Sequence, residues 1–225
     1  MRKQKNKITE IINADDFGLS TGTNLAIEKA HQEGILTSAS MFATMPGFNQ
    51  AIEIAKKNRD LGIGAHLSLT WGKSILPHKK IPLLVDKEGY FYPSFQRLIL
   101  LSLISKEFLK EVSIEFDAQL KKLISSGIKI DHIDSQQHVH MIPKIFPIVK
   151  KLSLLYKIKN IRISREKFSL VKSFPEIAIP FTTSNLVKFM LMNFFSLFQK
   201  KTYTSDVQFS GVLYTTKINS TILKY

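Results

Sequence analysis

No cysteine occurs in the chain. That absence removes disulfides, thiolate-held zinc and thiol nucleophiles together, so any metal must be held by carboxylate, imidazole, amide or water. Apolar runs long enough to cross a bilayer are also missing. Residues 98–104 and 186–198, the latter reading LVKFMLMNFFSLF, fall short of the roughly 20 residues a spanning helix needs, and the second contains Lys188 and Asn193. Both read as buried or amphipathic helices; for the second, which Lys200 and Lys201 follow, peripheral contact with a membrane surface is the alternative. No internal repeat, low-complexity tract or linker rich in Gly, Ser or Pro divides the sequence, which is expected to form a single domain over residues 1–225. The basic stretch 1–7 lacks the apolar run that a signal peptide places after it, so a cytoplasmic location is expected.

Acidic residues are scarce: 18 Asp and Glu face 32 Lys and Arg, a formal charge of +14. Such a balance suits a polyanion or an anionic membrane, but the basic residues are scattered and no nucleic-acid recognition motif appears, so no nucleic-acid partner is expected.

Hydrophobic spacing predicts strands at 8–13, 38–43, 62–69, 128–133 and 158–163, and helices at 21–33, 48–57, 108–124 and 142–155, with Pro143 in the first turn of the last. Residues 72–97, with Pro77, Pro82, Gly89 and Pro93, read as a long excursion over one end of the domain. Strands alternating with helices imply a mainly parallel sheet, either open and doubly wound or closed into a barrel.

Three polar clusters fall at expected strand ends. Asp15 and Asp16 are adjacent, so at an extended strand end they point to opposite sides, one toward a metal and one toward a water's proton; the alternative is a turn that caps the next helix. His66 lies opposite Ile63, Ala65, Leu67 and Leu69 on its strand, as a ligand or as a core histidine. His138 and His140 would share a face of an extended segment, as metal ligands or as ligand plus acid, or form a surface pair. Asp and His donors without thiolate suit a divalent ion that acidifies a water for attack on a carbonyl, and amide hydrolysis is the simplest such reaction.

The segments Asn13-Ala14-Asp15-Asp16-Phe17-Gly18, Gly64-Ala65-His66-Leu67-Ser68 and His132-Ile133-Asp134-Ser135-Gln136-Gln137-His138-Val139-His140-Met141 resemble the YdjC-like carbohydrate deacetylases, with weaker echoes at 162–166, 204–206 and Gly211. The resemblance implies a deformed (β/α) barrel and metal-dependent removal of N-acetyl groups from an amino-sugar oligosaccharide. The ion would be Mg²⁺ first, with Zn²⁺ or another divalent ion as the alternative. It assigns Asp16, His66, Gln136 and His138 to the metal, Asp15 to the base and His140 to the acid. Two departures stand out: Gln136 occupies a position where the family carries a ligating His, and the chain reaches Tyr225 without the family's later His-Pro-Gly motif, so a barrel lacking its last strands is expected. The competing reading is a catalytically impaired carbohydrate- or glycolipid-binding homologue. Trp71, Phe91 and Tyr92 are candidates for stacking on a sugar.

Overall fold

The computed structural model describes residues 10–168, 182–199, 203 and 207–212. Strand β1 (Asn13–Phe17) leads into α1 (Thr21–Gln32), β2 (Ser38–Met41) into α2 (Phe48–Lys57), and β3 (Gly62–Leu67) into a long excursion that ends at α3 (Phe95–Ile104). Then follow α4 (Lys106–Ser125), β4 (His132–Ser135), α5 (Phe146–Leu155), β5 (Asn160–Ile161) and α6 (Thr183–Gln199). The five strands form one parallel sheet in the order β1-β2-β3-β4-β5. A doubly wound sheet reverses strand order at its switch point. No reversal occurs among the described strands, so each βα unit lays its strand beside the one before it.

The helices follow the apolar spacing closely, and α2 begins and ends where the periodicity places it. Of the strands, β2, β3 and β5 fall within the expected segments and two are displaced, residues 8 and 9 of the first expectation lying outside the described residues. β1 was expected at 8–13 and lies at Asn13–Phe17; β4 was expected at 128–133 and lies at His132–Ser135. β1 contains the Asp pair that it was expected only to precede, and β4 takes in Asp134 and Ser135 but ends before Gln136. The α5 helix starts at Phe146 with Pro147 in its first turn, where the missing N–H costs no internal hydrogen bond, while Pro143 lies in the turn ahead of it.

Two polar side chains fix the loops that end at the site. Asn24 of α1, fully buried, accepts from Gly18 N–H (2.7 Å) and donates to Gly47 O (2.9 Å), so the turn after β1 is tied to the start of α2. Gly18 takes φ +88°, a conformation that glycine adopts without steric penalty. On α4, Glu111, Glu115 and Gln119 recur every fourth residue on the buried face. Glu115 accepts from the amides of Ile75 (2.9 Å) and Leu76 (3.0 Å), Glu111 from Leu83 N–H (2.8 Å), and Gln119 spans both backbone groups of Ser68. The excursion after β3 therefore has its donors met by one helix face. Burial pushes the carboxyls of Glu111 and Glu115 up from the usual range.

Truncation at Glu115 leaves two part-buried amides without their acceptor, at about 1 kcal/mol each, the low end of the cost for a fully buried donor. Glu115→Ala is therefore expected to lower the urea midpoint clearly and to speed amide exchange at Ile75 and Leu76. Glu107→Ala, which removes an exposed pair with Lys110, stays within about 0.5 kcal/mol of the parent. Equal stability of the two variants would refute the anchoring role.

Candidate active site

β1 does not keep the simple alternation expected for an acidic pair in a flat strand. Its pairing with β2 slips between Ala14 and Phe17, and Asp16 takes φ +66°, unusual for a residue with a side chain. Instead of pointing to opposite faces, Asp15 and Asp16 both line one cavity. Asn13, two residues before Asp15 and on the same side, donates to the Asp15 carboxylate (2.9 Å) and to Ser40 Oγ (3.0 Å).

The centre of the cluster is Asp134 on β4, with no exposed surface. Its Oδ1 accepts from His66 Nδ1 (2.7 Å), and its Oδ2 from Ser40 Oγ (2.5 Å) and Arg162 Nη2 (2.6 Å). Arg162, immediately after β5, also clasps Asp15 with both terminal nitrogens (2.9 and 2.8 Å). Burial raises the Asp134 carboxyl, but Arg162 and His66 more than reverse this and hold it well below the usual range. Burial and Asp134 likewise push Asp15 up, and Arg162 brings it below its ordinary value. Burial opposes charge on His66, yet Asp134 beside it lifts the ring to about 10. Phe42 packs edge-on against that ring at 4.7 Å.

Asp15, His66 and Asp134 each offer a ligand atom within 4.8 Å of the others and form a candidate cation-binding triad. Within it the jobs differ. Both Asp134 oxygens are engaged, and its bond to Nδ1 turns the opposite nitrogen of His66 outward, the arrangement by which a carboxylate orients a metal-binding imidazole. That nitrogen, Nε2, faces Gln136 Oε1 at 3.2 Å and Asp16 Oδ1 at 3.5 Å. Asp16 Oδ1 is buried and has no hydrogen-bond partner. Neighbouring donors around an ion at about 2.1 Å lie about 3.0–3.4 Å apart; His66 Nε2 meets that spacing with Gln136 and comes within 3.5 Å of Asp16, which makes the three candidate holders of a small divalent ion. Three carboxylates set against one guanidinium leave two negative charges, which suits the same ion once His66 is neutral.

Residues 136–141 are a tight turn, not an extended segment, with Gln137 and His138 at φ +52° and +58°. The two imidazoles therefore diverge. His138 lines the cavity, with Nδ1 at 2.9 Å from Ser164 Oγ and its ring edge-on to Phe209. His140 is fully buried: Nε2 meets the Arg162 carbonyl at 2.8 Å, so it donates, and Nδ1 accepts from Ser135 Oγ at 2.5 Å. Burial holds His138 down to about 3 and His140 to about 4. Phe91 is in the core, and neither it, Trp71 nor Tyr92 lines the cavity, so the expected stacking wall is not formed there.

The cavity measures about 1490 Å³ and runs along the inner face of the sheet, from Thr37 and Asn160 at the strand starts to Asp16 and His138 at their ends. Small residues make that space. A Cβ on Gly64 would collide with the ring of His132, which bridges Asp131 (2.5 Å) and Ser40 (3.2 Å). Asp134, Ser40 and Arg162 were given no site role from the sequence. Nothing about a single Ser or Arg announces a shared carboxylate; only strand register brings them together, through Gly64 opposite His132 and His66 opposite Asp134.

A family model described as YdjC-like protein matches residues 11–223. A carbohydrate deacetylase of Brevibacillus brevis is 43% identical over 148 residues, 66% of this chain and 56% of that protein. One from Clostridium beijerinckii is 35% identical over 79% of this chain and 71% of its own length. Among solved structures, a putative cellobiose-phosphate cleavage protein from Enterococcus faecalis superposes with a TM-score of 0.60 at 38% identity, covering 69% of this chain and 59% of that one. The chain thus spans well under two thirds of the length of the Brevibacillus protein and of the solved structure.

The neutral, buried His140 has a measurable consequence. With a folded value near 4 against an ordinary 6.5, it contributes stability above pH 6.5 that is lost as pH falls through 4. The loss between pH 7 and pH 4 is roughly 3 kcal/mol. His140→Gln is expected to be less stable at pH 7 but to show a shallower decline toward pH 4 in urea unfolding. A slope identical to the parent's would refute burial of the neutral ring.

Proposed function

We propose, for a chain that belongs to the YdjC-like protein family, a metal-dependent hydrolase that removes the N-acetyl group from an amino-sugar substrate. The observation that carries this reading is the convergence of Asp16 Oδ1, His66 Nε2 and Gln136 Oε1, with His66 oriented from behind by Asp134. These three would hold a divalent ion, for which two oxygen donors against one nitrogen favour Mg²⁺. When bound, the ion supplies Lewis acidity, making a water more acidic and polarising the acetyl carbonyl. The fold that bears the site is read as a single deformed (β/α) barrel domain, and the location as cytoplasmic.

The chain's own groups then divide the proton work. Asp15 is ionised and accepts the proton of the attacking water, while the two hydrogen bonds that Arg162 donates fix its direction and restrain its basicity. Once protonated, Asp15 can return that proton to the leaving amine. His138 offers the cavity a neutral ring whose other nitrogen is set by Ser164, and we assign it to the substrate and not to the ion. His140, expected as the acid, has both ring nitrogens engaged and is assigned to holding the Arg162 backbone. The cavity exceeds the roughly 300–1,000 Å³ of ordinary ligand pockets, room for more than one sugar ring.

The test is acetate release from N-acetylglucosamine oligomers by metal-stripped protein, with Mg²⁺, Zn²⁺, Mn²⁺ and Co²⁺ restored separately. Release is expected with added metal, and Asp16→Ala and His66→Ala should each lower it by roughly 100-fold or more while remaining folded. Gln136→His is expected to tighten Zn²⁺ more than Mg²⁺ by calorimetry, a readout independent of turnover. Unchanged activity in both alanine variants would end the metal-hydrolase reading. Oligomer binding without release under any ion would favour the catalytically silent binding protein.

A further inference from the structure

We propose that α6 docks the protein on an anionic lipid bilayer and opens the cavity onto that surface, so that the glycan it takes is one carried on a lipid. The substrate half rests on the deacetylase reading; the docking half does not.

Val187, Met190, Phe194 and Leu197 recur along α6 at intervals of three and four, with Phe198 beside them, and each is more than half exposed. The opposite face is committed to the protein: Met192, Phe195 and Ser196 are buried, and Gln199 donates to Met141 O at 2.6 Å. The apolar stripe is continuous with the site. Ser184, Val187, Lys188 and Leu191 line the cavity that holds Asp15, Asp16 and His138, so Val187 belongs to both surfaces. α3 also begins at the cavity wall, with Phe95 and Gln96, and then exposes Leu100, Leu103 and Ile104.

Charge selects the occupant. Neither α3 nor α6 contains an acidic residue, Arg97 and Lys188 are their only charges, and Lys200 and Lys201 follow α6 in the sequence. The chain carries +14 overall. A second copy would bring like charge against like, whereas anionic headgroups complement it. One face of α6 is apolar and exposed while the other is packed on the protein, as for a helix lying in the interface plane, and among the described residues no helix is long and apolar enough to cross a membrane. A sugar at the polar end of the cavity would then leave its lipid carrier along Val187 and Leu191, toward the acyl chains.

Cosedimentation with phosphatidylglycerol-containing vesicles, compared with pure phosphatidylcholine, tests the docking. Binding is expected to the anionic vesicles at low salt, weakened by salt, and reduced at least tenfold by Phe194→Asp with Leu197→Asp, whose exposed positions leave the melting temperature unchanged. Vesicles doped with an N-acetylglucosaminyl lipid should bind several-fold more tightly than undoped ones, whether or not acetate is released. No binding at low salt, binding that the double variant leaves intact, or concentration-dependent self-association abolished by that variant would each overturn the docking. Equal binding to doped and undoped vesicles would overturn the lipid-borne substrate. Absence of acetate release from every glycan, with docking retained, would instead count against the deacetylase reading.

Discussion

A carboxylate wholly removed from solvent holds the inner face of this sheet together. Burying an isolated charge costs several kcal/mol even after relaxation, and the cost is offset only where hydrogen bonds and opposite charge surround it. Asp134 meets that condition by drawing on Ser40 of β2, His66 of β3 and Arg162 after β5, and through Arg162 it reaches Asp15 of β1. Each strand thus supplies a partner to one anion or to its counter-ion. The same bonds that make the charge tolerable fix the direction of His66 Nε2 and of the Asp15 carboxylate, so satisfaction of a buried group and preparation of the site are one requirement.

That requirement explains the composition of the inner face. Serine, glycine and asparagine stand where a sheet face packed for stability would place branched apolar side chains. Ser40 is short enough to reach Asp134 without filling the cavity, and Gly64 leaves the space into which His132 folds. Strain is concentrated at the same place. Of the four described non-glycine residues with positive φ, Asp16, Gln137 and His138 belong to the site. Such conformations cost of order 1–3 kcal/mol each and persist where surrounding contacts over-determine them. Here the turn at 136–141 is held by Ser135 and His140 beneath and Ser164 above.

The helices were legible from the sequence because their apolar faces pack on a continuous core, and periodicity reports that directly. Three strands, β2, β3 and β5, were legible too, but β1 and β4 lie later than their apolar runs, for the opposite reason: β1 pairs through Asn13 and Ala14, and its Asn13, Asp15 and Asp16 line a cavity instead of a core. The Asp pair, His66 and the 136–140 cluster were conspicuous as polar residues at expected strand ends. What they do individually was not. The i, i+2 spacing of His138 and His140 implies a shared face only in extended backbone, and two left-handed residues cancel it. The aromatic residues near the excursion were equally ambiguous, since burial of Phe91 depends on a loop whose anchoring carboxylates lie on a distant helix.

Gln136 is where chain chemistry departs from the family pattern, and the geometry says what such a change does. An imidazole at that position would face His66 with a nitrogen lone pair and a second ring nitrogen requiring its own partner. The amide instead presents a neutral oxygen, at 3.2 Å from His66 Nε2. Oxygen from Asp16 and Gln136 with a single nitrogen from His66 is a harder donor set than two imidazoles and a carboxylate, and harder sets shift preference from Zn²⁺ toward Mg²⁺. The substitution leaves the charge of the cluster unchanged, because glutamine and neutral histidine are both uncharged, so the two negative charges that favour a divalent ion survive it. If the proposed ion is held there, selectivity among ions is therefore the property that Gln136 would alter first, while the Asp134 network that aims His66 is untouched by it.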